Sequence, residues 1–404
     1  MIYDATLDDL LQKVWNGGRI DSTEALRLSK LSLDELGALA DRRRQLIKQS
    51  AVGGRGNEVV SYIVDRNVNY TNVCNVYCKF CAFWRTEKDA DSYVITIDEL
   101  DRKIEETIAL GGTQMLMQGG HHPKLTKQWY LDLLSHVRDK FPGFNIHGFS
   151  PSEFIAFQDF FGEPVEQIIR DFVQAGLGSI PGGGGEILVD RVRKKIAPLK
   201  AMTGDWMGVM DKAHAQGLAS SATMMFGHVE TLEDRIEHLE VVRAQQDRSL
   251  ARLAESGKLT RLSTLNSQLS TSAQHAIAYA SALESGALKG GAFTAFIAWT
   301  FQPDNAVLKT PTVGAHEYLR MQALSRIYLD NVPNIQSSWV TQGQDIGQVA
   351  LKYGANDLGS IMIEENVVSA AGTTFCMGVA DMKRLITDLG YEPRQRDNWY
   401  RMVN

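Results

Sequence analysis

Short apolar segments alternate with amphipathic helical stretches along most of the chain. The apolar segments predict strands at 59–65, 113–117, 144–149, 177–180, 219–226, 292–300, 334–340 and 357–363. Helical periodicity lies near 96–110, 126–140, 164–175, 203–216, 231–246, 312–330, 344–353 and 378–389. Parallel strands that are each followed by a helix predict an α/β fold of the (β/α)8 TIM-barrel type.

The beginning of the chain carries a helical pattern of its own. Helices are predicted there at 7–14, 22–31 and 32–47. The glycine-rich residues 53–56 then form a linker. These boundaries predict an N-terminal helical extension, a barrel domain and a C-terminal tail at residues 1–55, 56–390 and 391–404.

One stretch interrupts the alternation of strands and helices. Residues 248–289 are rich in Ser, Ala and Leu, with leucines at helical spacing at Leu262, Leu265 and Leu269. They follow the helix after the fifth predicted strand, so they emerge on the face opposite the loops that follow the strands. We expect a helical insertion that serves stability or assembly.

Length and composition narrow the class of protein. The 404 residues would accommodate two or three domains, but a single decorated barrel fits the same length. A net charge of −6 argues against a nucleic-acid partner. No apolar run is long enough for a membrane span, and the first residues lack the features of a signal peptide. We therefore expect a cytoplasmic protein.

The segments directly after the predicted strands carry most of the reactive side chains. They lie at 74–81, 118–122, 150–153, 181–186, 227–230, 301–305, 341–345 and 364–366. In a barrel these loops converge on one face, where the active sites of this fold are found. This distribution predicts an enzyme with a single site.

Three of the four cysteines fall within eight residues, at Cys74, Cys78 and Cys81. A structural zinc site would show a second pair of ligands, and a disulfide framework would not crowd three thiols together. Three thiolates suit an iron–sulfur cluster that keeps its fourth iron open to another ligand. An electron carrier with Cys376 as the fourth ligand is the alternative, although Cys376 is interpreted as a small buried apolar side chain.

The Cys-x-x-x-Cys-x-x-Cys spacing, with Phe80 before the last cysteine, resembles the radical S-adenosylmethionine (SAM) superfamily. The resemblance implies a [4Fe-4S] cluster, SAM as the second cofactor, and a 5′-deoxyadenosyl radical that abstracts hydrogen from the substrate. It also implies SAM contacts, with Phe80 beside the adenine. The other implied contacts are Gly119 and Gly120 at the SAM amino group, and Glu186 and Arg191 at the ribose and carboxylate.

Longer segments are more specific than the cysteine spacing. They lie at 66–74, 81–85, 117–123, 147–153, 179–188, 222–231 and 299–303, and they resemble the cyclic dehypoxanthine futalosine synthase family of menaquinone biosynthesis. Aminofutalosine synthase and the two radical subunits that build the deazaflavin of coenzyme F420 are related alternatives. An iron–sulfur electron-transfer protein is the alternative from another class. The insertion of about forty residues at 248–289 departs from the family pattern.

The implied reaction closes a spiro ring between the sugar C4′ and the benzoate of dehypoxanthine futalosine. It requires a general base, an electron acceptor and a carboxylate anchor. The superfamily resemblance also implies an electron donor such as ferredoxin or flavodoxin. The candidate bases are His121, His228, Glu153 and Glu230. Arg66 and Arg85 are candidate anchors for the benzoate, with surface ion pairs as their alternative role. A solvated turn is the alternative for His121 and His122, and the pair Met224 and Met225 is assigned to the core.

Overall fold

The computed structural model describes residues 7–259, 269–372 and 375–403. Its strands are β1 (Val59–Ile63), β2 (Asp65–Val68), β3 (Gln114–Met117), β4 (Asn145–Gly148), β5 (Leu177–Ile180), β6 (Ala219–Phe226), β7 (Phe293–Thr300), β8 (Asn334–Gln336), β9 (Asp357–Ser360) and β10 (Glu392–Gln395). All strand pairs in this sheet are parallel, in the order β10-β1-β9-β8-β7-β6-β5-β4-β3-β2.

Helices precede the sheet and connect its strands. Before β1 lie α1 (Asp8–Trp15), α2 (Ser22–Leu28), α3 (Leu33–Lys48) and α4 (Ala51–Gly54). Between β2 and β6 lie α5 (Ile97–Ala109), α6 (Lys127–Lys140), α7 (Pro151–Phe161), α8 (Val165–Ala175), α9 (Asp190–Ile196) and α10 (Thr203–Ala215). After β6 come α11 (Leu232–Glu255), α12 (Thr271–Glu284), α13 (Ala315–Tyr328), α14 (Trp339–Gln342), α15 (Gln344–Val349) and α16 (Val379–Asp388).

The first predicted strand closes the sheet on itself. β1 pairs with β9 through Ser61 and Ile63, whereas β2 pairs with β3 along its whole length. Only Val64 separates β1 from β2, so the two ends of the sheet are joined by one continuous segment. The sheet therefore curls into a barrel, and the predicted (β/α)8 fold is confirmed. Each of the eight predicted strands coincides with an observed strand.

Successive side chains along each strand point alternately outward, toward the helices, and inward, toward the barrel axis. Apolar side chains such as Met115, Ile146 and Met224 point outward and pack under the helices. Met224 and Met225 are both buried, as predicted. Many of the inward side chains are polar, and they surround a cavity on the barrel axis.

Residues 391–404, expected as a tail, contribute β10 to the sheet. β10 pairs with β1 over Val59–Tyr62, on the side that β3 occupies farther along the same segment. Directly after it, the buried Arg396 donates to Asp357, from Nε to Oδ2 at 2.5 Å and from Nη2 to Oδ1 at 2.9 Å. Segment 392–396 therefore ties the first and the last barrel strands together.

The insertion packs against the N-terminal helices. α12 contacts α3, α4 and α11, and Leu269, Ala273 and Ile277 form a buried cluster with Leu46 and Ile47 of α3. Since α12 leads into the N-terminal end of β7, it lies away from the loops that follow the strands. The predicted Leu262 and Leu265 fall outside the described residues.

The helical periodicity does not predict α7 or α9. Residues 150–153 were assigned to a loop, but Ser150 is the N-cap of α7, Pro151 is its first residue and Glu153 completes a capping box. This signature is readable in the sequence.

Across residues 7–259, 269–372 and 375–403, no helix has the length and hydropathy needed to cross a membrane.

Replacing Arg396 by alanine is expected to destabilise the barrel. The change leaves the buried Asp357 carboxylate without its cation, so the free energy of unfolding falls by about 3–5 kcal/mol. Arg394→Ala, on the same strand, removes only a partly exposed ion pair with Glu392 and costs less than about 1 kcal/mol. Urea unfolding of both variants measures the difference, and equal losses would contradict this account.

Candidate active site

The three clustered cysteines lie in the loop that leads from β2 to α5, here called the cysteine loop (residues 69–96). Two strand-like contacts brace it, because Cys74 N donates to the carbonyl of Arg85 at 3.0 Å and Arg85 N donates to that of Asn72 at 2.8 Å. The Arg85 guanidinium bonds both carboxylate oxygens of Asp91 and the carbonyls of residues 82–84. Arg85 therefore shapes the cysteine loop, and its side chain is not free to anchor a benzoate as predicted.

The thiols of Cys74, Cys78 and Cys81 are free of disulfides. Burial raises the pKa of Cys78 to about 12 and also raises that of Cys81, while the nearby Lys200 ammonium favours both thiolates. Such thiols stay protonated unless a metal centre binds them.

The donor set fits a cluster better than a single ion. Among the described residues, no three His, Cys, Asp or Glu side chains are grouped so as to hold one metal ion. Thiolates that each bind a different iron of a [4Fe-4S] cluster do not have to meet at one ion. The three cysteines, with Lys200 beside them, therefore suit the cluster predicted from the sequence and not a zinc site.

Gly119 and Gly120 bring the loop after β3 against the cysteine loop. A Cβ on Gly119 would lie 2.7 Å from the ring of Tyr70. One on Gly120 would lie 2.1 Å from the Val73 carbonyl oxygen and 2.9 Å from Cys74 Cβ. Only glycine permits this close approach of the two backbones.

The buried carboxylate of Glu153 holds this contact in place. Its Oε1 accepts hydrogen bonds from Tyr70 Oη at 2.8 Å and from Gly119 N at 3.1 Å, and its Oε2 accepts from Ser150 N and Oγ, both at 2.7 Å. Burial raises its pKa. Glu153 does not line the cavity, so the structure gives it the role of positioning the glycines.

Lys200 and Glu186 connect the cysteines to the cavity. Lys200 Nζ donates to Glu186 Oε1 at 2.9 Å and stands 5.3 Å from the centre of the Phe80 ring. Burial opposes its charge, but Glu186 and the Cys78 sulfur raise its pKa above the ordinary value. Glu186 lines the cavity and has a positive φ of 32°, a strain that is typical of functional sites.

The cavity has a volume of about 310 Å³, within the range of small-molecule sites. Polar side chains from several strands reach it, with Trp299 and Trp339 among the apolar lining. The polar lining includes Asp65, Asn67, Gln114, Gln118, His147, Glu186, Ser221, Thr223, Gln336, Ser360, Glu365 and Arg396. The barrel therefore offers an interior beside the cysteine loop that combines apolar surface with many polar side chains.

Three acid or imidazole groups in this lining, Asp65, His147 and Glu365, were not predicted from the sequence. Glu365 accepts hydrogen bonds from Asn67 Nδ2 at 2.8 Å and from two backbone amides, and burial raises its pKa. His147 bonds Ser179, and burial lowers its pKa to about 3. Alternation along β4 would have placed His147 inside the barrel, since Asn145 and His147 share one face.

His228 and Glu230 do not reach the cavity. Glu230 accepts hydrogen bonds from Gly227 N and Arg235 and lies 3.0 Å from the ring of His228, and both side chains are fully buried. Burial opposes ionisation, but these partners lower the pKa of Glu230 to about 2. The pair braces the turn after β6, which leaves neither group free to act as the predicted base.

His121 is buried beside the cysteine loop and also lies outside the cavity lining. Burial, and secondarily Lys200, lowers its pKa to about 3. Its backbone carbonyl accepts from Asn75 N at 3.3 Å. His121 and its neighbour His122 are therefore not in a solvated turn.

The other two predicted arginines, Arg66 and Arg191, are not among the residues that line the cavity. Arg66 points away from the barrel axis, because its neighbours Asp65 and Asn67 face inward, and it bonds Glu106 at 2.8 Å. Arg191 is half exposed and pairs with Asp234 outside the cavity. In this structure both side chains are engaged in ion pairs outside the cavity.

Cys376 is exposed, so its prediction as a buried apolar side chain is wrong. It lies in the loop before α16, next to the half-exposed Phe375, and its carbonyl accepts from Gln344. The segment between β9 and α16 leaves this side chain at the surface.

Two family descriptions match the chain in separate parts. "Radical SAM superfamily" covers residues 68–242, and "CofH/MqnC C-terminal region" covers residues 290–404. The first match contains the cysteine loop, and the second contains β7 to β10.

Full-length relatives and solved structures agree with these matches. Cyclic dehypoxanthine futalosine synthase of Halalkalibacterium halodurans is 36% identical over 98% of this chain and 95% of its own length. The enzyme of the same name from Streptomyces coelicolor is 39% identical over 99% and 90%. A third relative, 5-amino-6-(D-ribitylamino)uracil–L-tyrosine 4-hydroxyphenyl transferase of Archaeoglobus fulgidus, is 33% identical over 98% and 96%.

Two crystal structures share the fold at low identity. Methylornithine synthase has a TM-score of 0.62 and 15% identity, covering 95% of this chain and 97% of its own. The hydrogenase maturase HydG has a TM-score of 0.65 and 12% identity, covering 96% and 74%.

Gly120→Ala is expected to prevent stable assembly of a metal centre on the cysteine loop. The added Cβ collides with the Val73 carbonyl and with Cys74, so the loop must move. After anaerobic reconstitution with iron and sulfide, we expect the variant to retain less than about half of the wild-type iron. Gly208→Ala in α10 is the matched control, because its Cβ meets no atom within 4 Å. Full iron content in both variants would show that the close approach is dispensable.

Proposed function

Because this chain belongs to the radical SAM superfamily, in the group that includes the cyclic dehypoxanthine futalosine synthases, we propose that it converts dehypoxanthine futalosine to its cyclic form. The observation that carries the proposal is 36–39% identity to those synthases over nearly the whole of both chains. Full-length similarity includes the barrel interior as well as the cysteine loop. The barrel interior is where substrates of this fold are bound.

The [4Fe-4S] cluster and SAM belong to the superfamily, and three side chains suit the cluster. Cys74, Cys78 and Cys81 would bind three of its irons. When bound, these cofactors supply a 5′-deoxyadenosyl radical that removes a hydrogen atom from the substrate. Lys200 balances negative charge beside Cys78, and its ammonium lies against the ring of Phe80.

The barrel interior binds the substrate and excludes water. Trp299 and Trp339 offer apolar surface, and Asn67, Gln118 and Gln336 offer amide groups that orient polar atoms of the sugar. A confined interior keeps a reactive carbon radical away from solvent hydrogen. The narrow cavity also holds the sugar and the arene close together, which favours ring closure over other fates of the radical.

Ring closure forms one C–C bond and removes one hydrogen atom, one proton and one electron from the substrate. The hydrogen atom goes to the 5′-deoxyadenosyl radical, the proton to a base and the electron to a one-electron acceptor. Glu365 is the group suited to take the proton, because its half-buried carboxyl lines the cavity and desolvation raises its pKa. The amides of Val367 and Val368 and the side chain of Asn67 hold it in place. The earlier candidates His121, His228, Glu153 and Glu230 do not line the cavity.

The electron required for each turnover comes from a protein of the ferredoxin or flavodoxin class, in the cytoplasm. This part of the proposal rests on the chemistry of the superfamily. The relative from Archaeoglobus fulgidus favours a second candidate, a transferase of tyrosine-derived groups, at 33% identity. Substrate choice separates the two candidates.

The first expected outcome is turnover of dehypoxanthine futalosine. The anaerobically reconstituted enzyme, given dithionite, SAM and substrate, should yield 5′-deoxyadenosine and a product two hydrogens lighter than the substrate by mass spectrometry. 5′-Deoxyadenosine without that product would reject the substrate but keep the radical chemistry, and the transferase substrates would be assayed next. Neither compound, with a full cluster, would favour the electron-transfer alternative.

Glu365→Gln should slow formation of the cyclic product by about 10²-fold or more, since the amide cannot accept the proton. Cleavage of SAM to 5′-deoxyadenosine should stay within about threefold of the wild type, because it precedes proton loss. Glu364→Gln is the control, since Glu364 pairs with Lys103 outside the cavity. Equal rates of product formation in both variants would remove Glu365 from the mechanism.

A further inference from the structure

A chain of hydrogen bonds crosses four neighbouring strands and ends at His147 in the cavity. It runs through side chains that face the barrel axis at the β2, β3, β4 and β5 positions. Its members, here called the polar chain, are Asp65, Gln114, Asn145, Ser179 and His147. Each contact has a direction, because a donor must meet an acceptor, and those directions determine which nitrogen of His147 carries its proton.

The direction is set at Asp65. Its Oδ1 accepts from Ser360 Oγ, whose own oxygen accepts from a backbone amide, and its Oδ2 accepts from Gln114 Nε2 at 2.8 Å. Burial raises the pKa of Asp65, while these two hydrogen bonds and the charge of Arg396 favour the carboxylate. A carboxylate only accepts, so the amide nitrogen of Gln114 must face it and the amide oxygen must face the other way.

The next two hydrogen bonds, both donated by Asn145, follow from the orientation of Gln114. Asn145 Nδ2 donates to Gln114 Oε1 at 3.1 Å and to Ser179 Oγ at 3.2 Å. Ser179 is fully buried and has one remaining neighbour, the Nδ1 atom of His147 at 2.7 Å. Since Ser179 already accepts from Asn145, its hydroxyl proton is satisfied only by donation to Nδ1. A hydroxyl proton without an acceptor would cost free energy at a buried site.

His147 therefore carries its proton on Nε2. The side chain lines the cavity, and its ring makes no other hydrogen bond within the described residues. Burial, and secondarily Arg396, lowers its pKa to about 3, which agrees with a neutral ring. The neutral ring then has one free polar group, an N–H that the polar chain holds in a fixed direction.

We propose that His147 is a substrate-binding residue that donates a hydrogen bond from Nε2–H to an oxygen of the substrate, with Ser179 as the positioning residue that fixes this tautomer. The proposal rests on the proposed function for the identity of the substrate, whose sugar and benzoate carry suitable oxygens. It assigns His147 a donor role, in contrast to the base expected of a histidine in a barrel. A donor held by buried neighbours loses little freedom on binding, and this favours one orientation of the substrate.

Substrate binding tests the donor. The unreduced holoenzyme with SAM does not turn over, so the Kd of dehypoxanthine futalosine can be measured by isothermal titration calorimetry. His147→Met removes the donor at nearly constant length and should weaken binding ~10-fold, and His147→Gln keeps an N–H near the position of Nε2 and should stay within about threefold. Iron content and SAM affinity serve as folding controls. Equal loss in both variants, or none in either, would overturn the proposal.

The tautomer can be measured without any substrate. In unreduced holoenzyme labelled with 15N-histidine, His147 is assigned by comparison with His147→Gln, and its nitrogen shifts should report Nε2–H. Ser179→Ala should abolish this preference, since Nδ1 loses its donor. A wild-type ring protonated on Nδ1, or an unchanged tautomer in Ser179→Ala, would overturn the role of the polar chain. This result is independent of the proposed function, which fails separately if dehypoxanthine futalosine yields no cyclic product.

Discussion

The architecture depends on the divided pairing of one strand segment, residues 59–68. Its first half bonds β9 and its second half bonds β3, so this segment alone joins the two ends of the sheet. The same segment runs directly into the cysteine loop. The segment that closes the barrel therefore also places the three thiols at its rim. A shift in this register would reverse which side chains face the axis, and the cavity would lose Asp65 and Asn67.

Polar and charged side chains are tolerated inside the barrel because nearly every one of them has a hydrogen-bond or ion-pair partner. Asp357 is matched by Arg396, Asp65 by Ser360 and Gln114, and Glu365 by backbone amides. Burying such groups is unfavourable unless their hydrogen bonds are complete. A polar interior adds less stability than an apolar one, and it is retained where a polar ligand must be oriented.

The sequence was sufficient for the fold because strand and helix patterns are local. All eight predicted strands were found, and each predicted helix has an observed counterpart, although α7 and α9 were not predicted. The cysteines were also accessible to sequence reasoning, since their ligand role depends on spacing. Side-chain direction was the weak point. Arg66 has the chemistry to bind a carboxylate, but its place between Asp65 and Asn67 turns it outward. This alternation is readable in the sequence.

The structure also differs from the sequence predictions where a side chain makes contacts that no local sequence pattern predicts. Glu153 and Glu230 look like reactive carboxyls, yet each is used to hold a turn. The participation of Arg396 in the cavity required knowledge of β10, whose four residues show no clear strand pattern.

The position of β10 and Arg396 near the end of the sequence has a consequence for synthesis on the ribosome. The cysteine loop is translated long before Arg396, so a nascent chain can present its thiols well before the substrate cavity is complete. Loading of the metal centre and completion of the substrate site are thus separable in time.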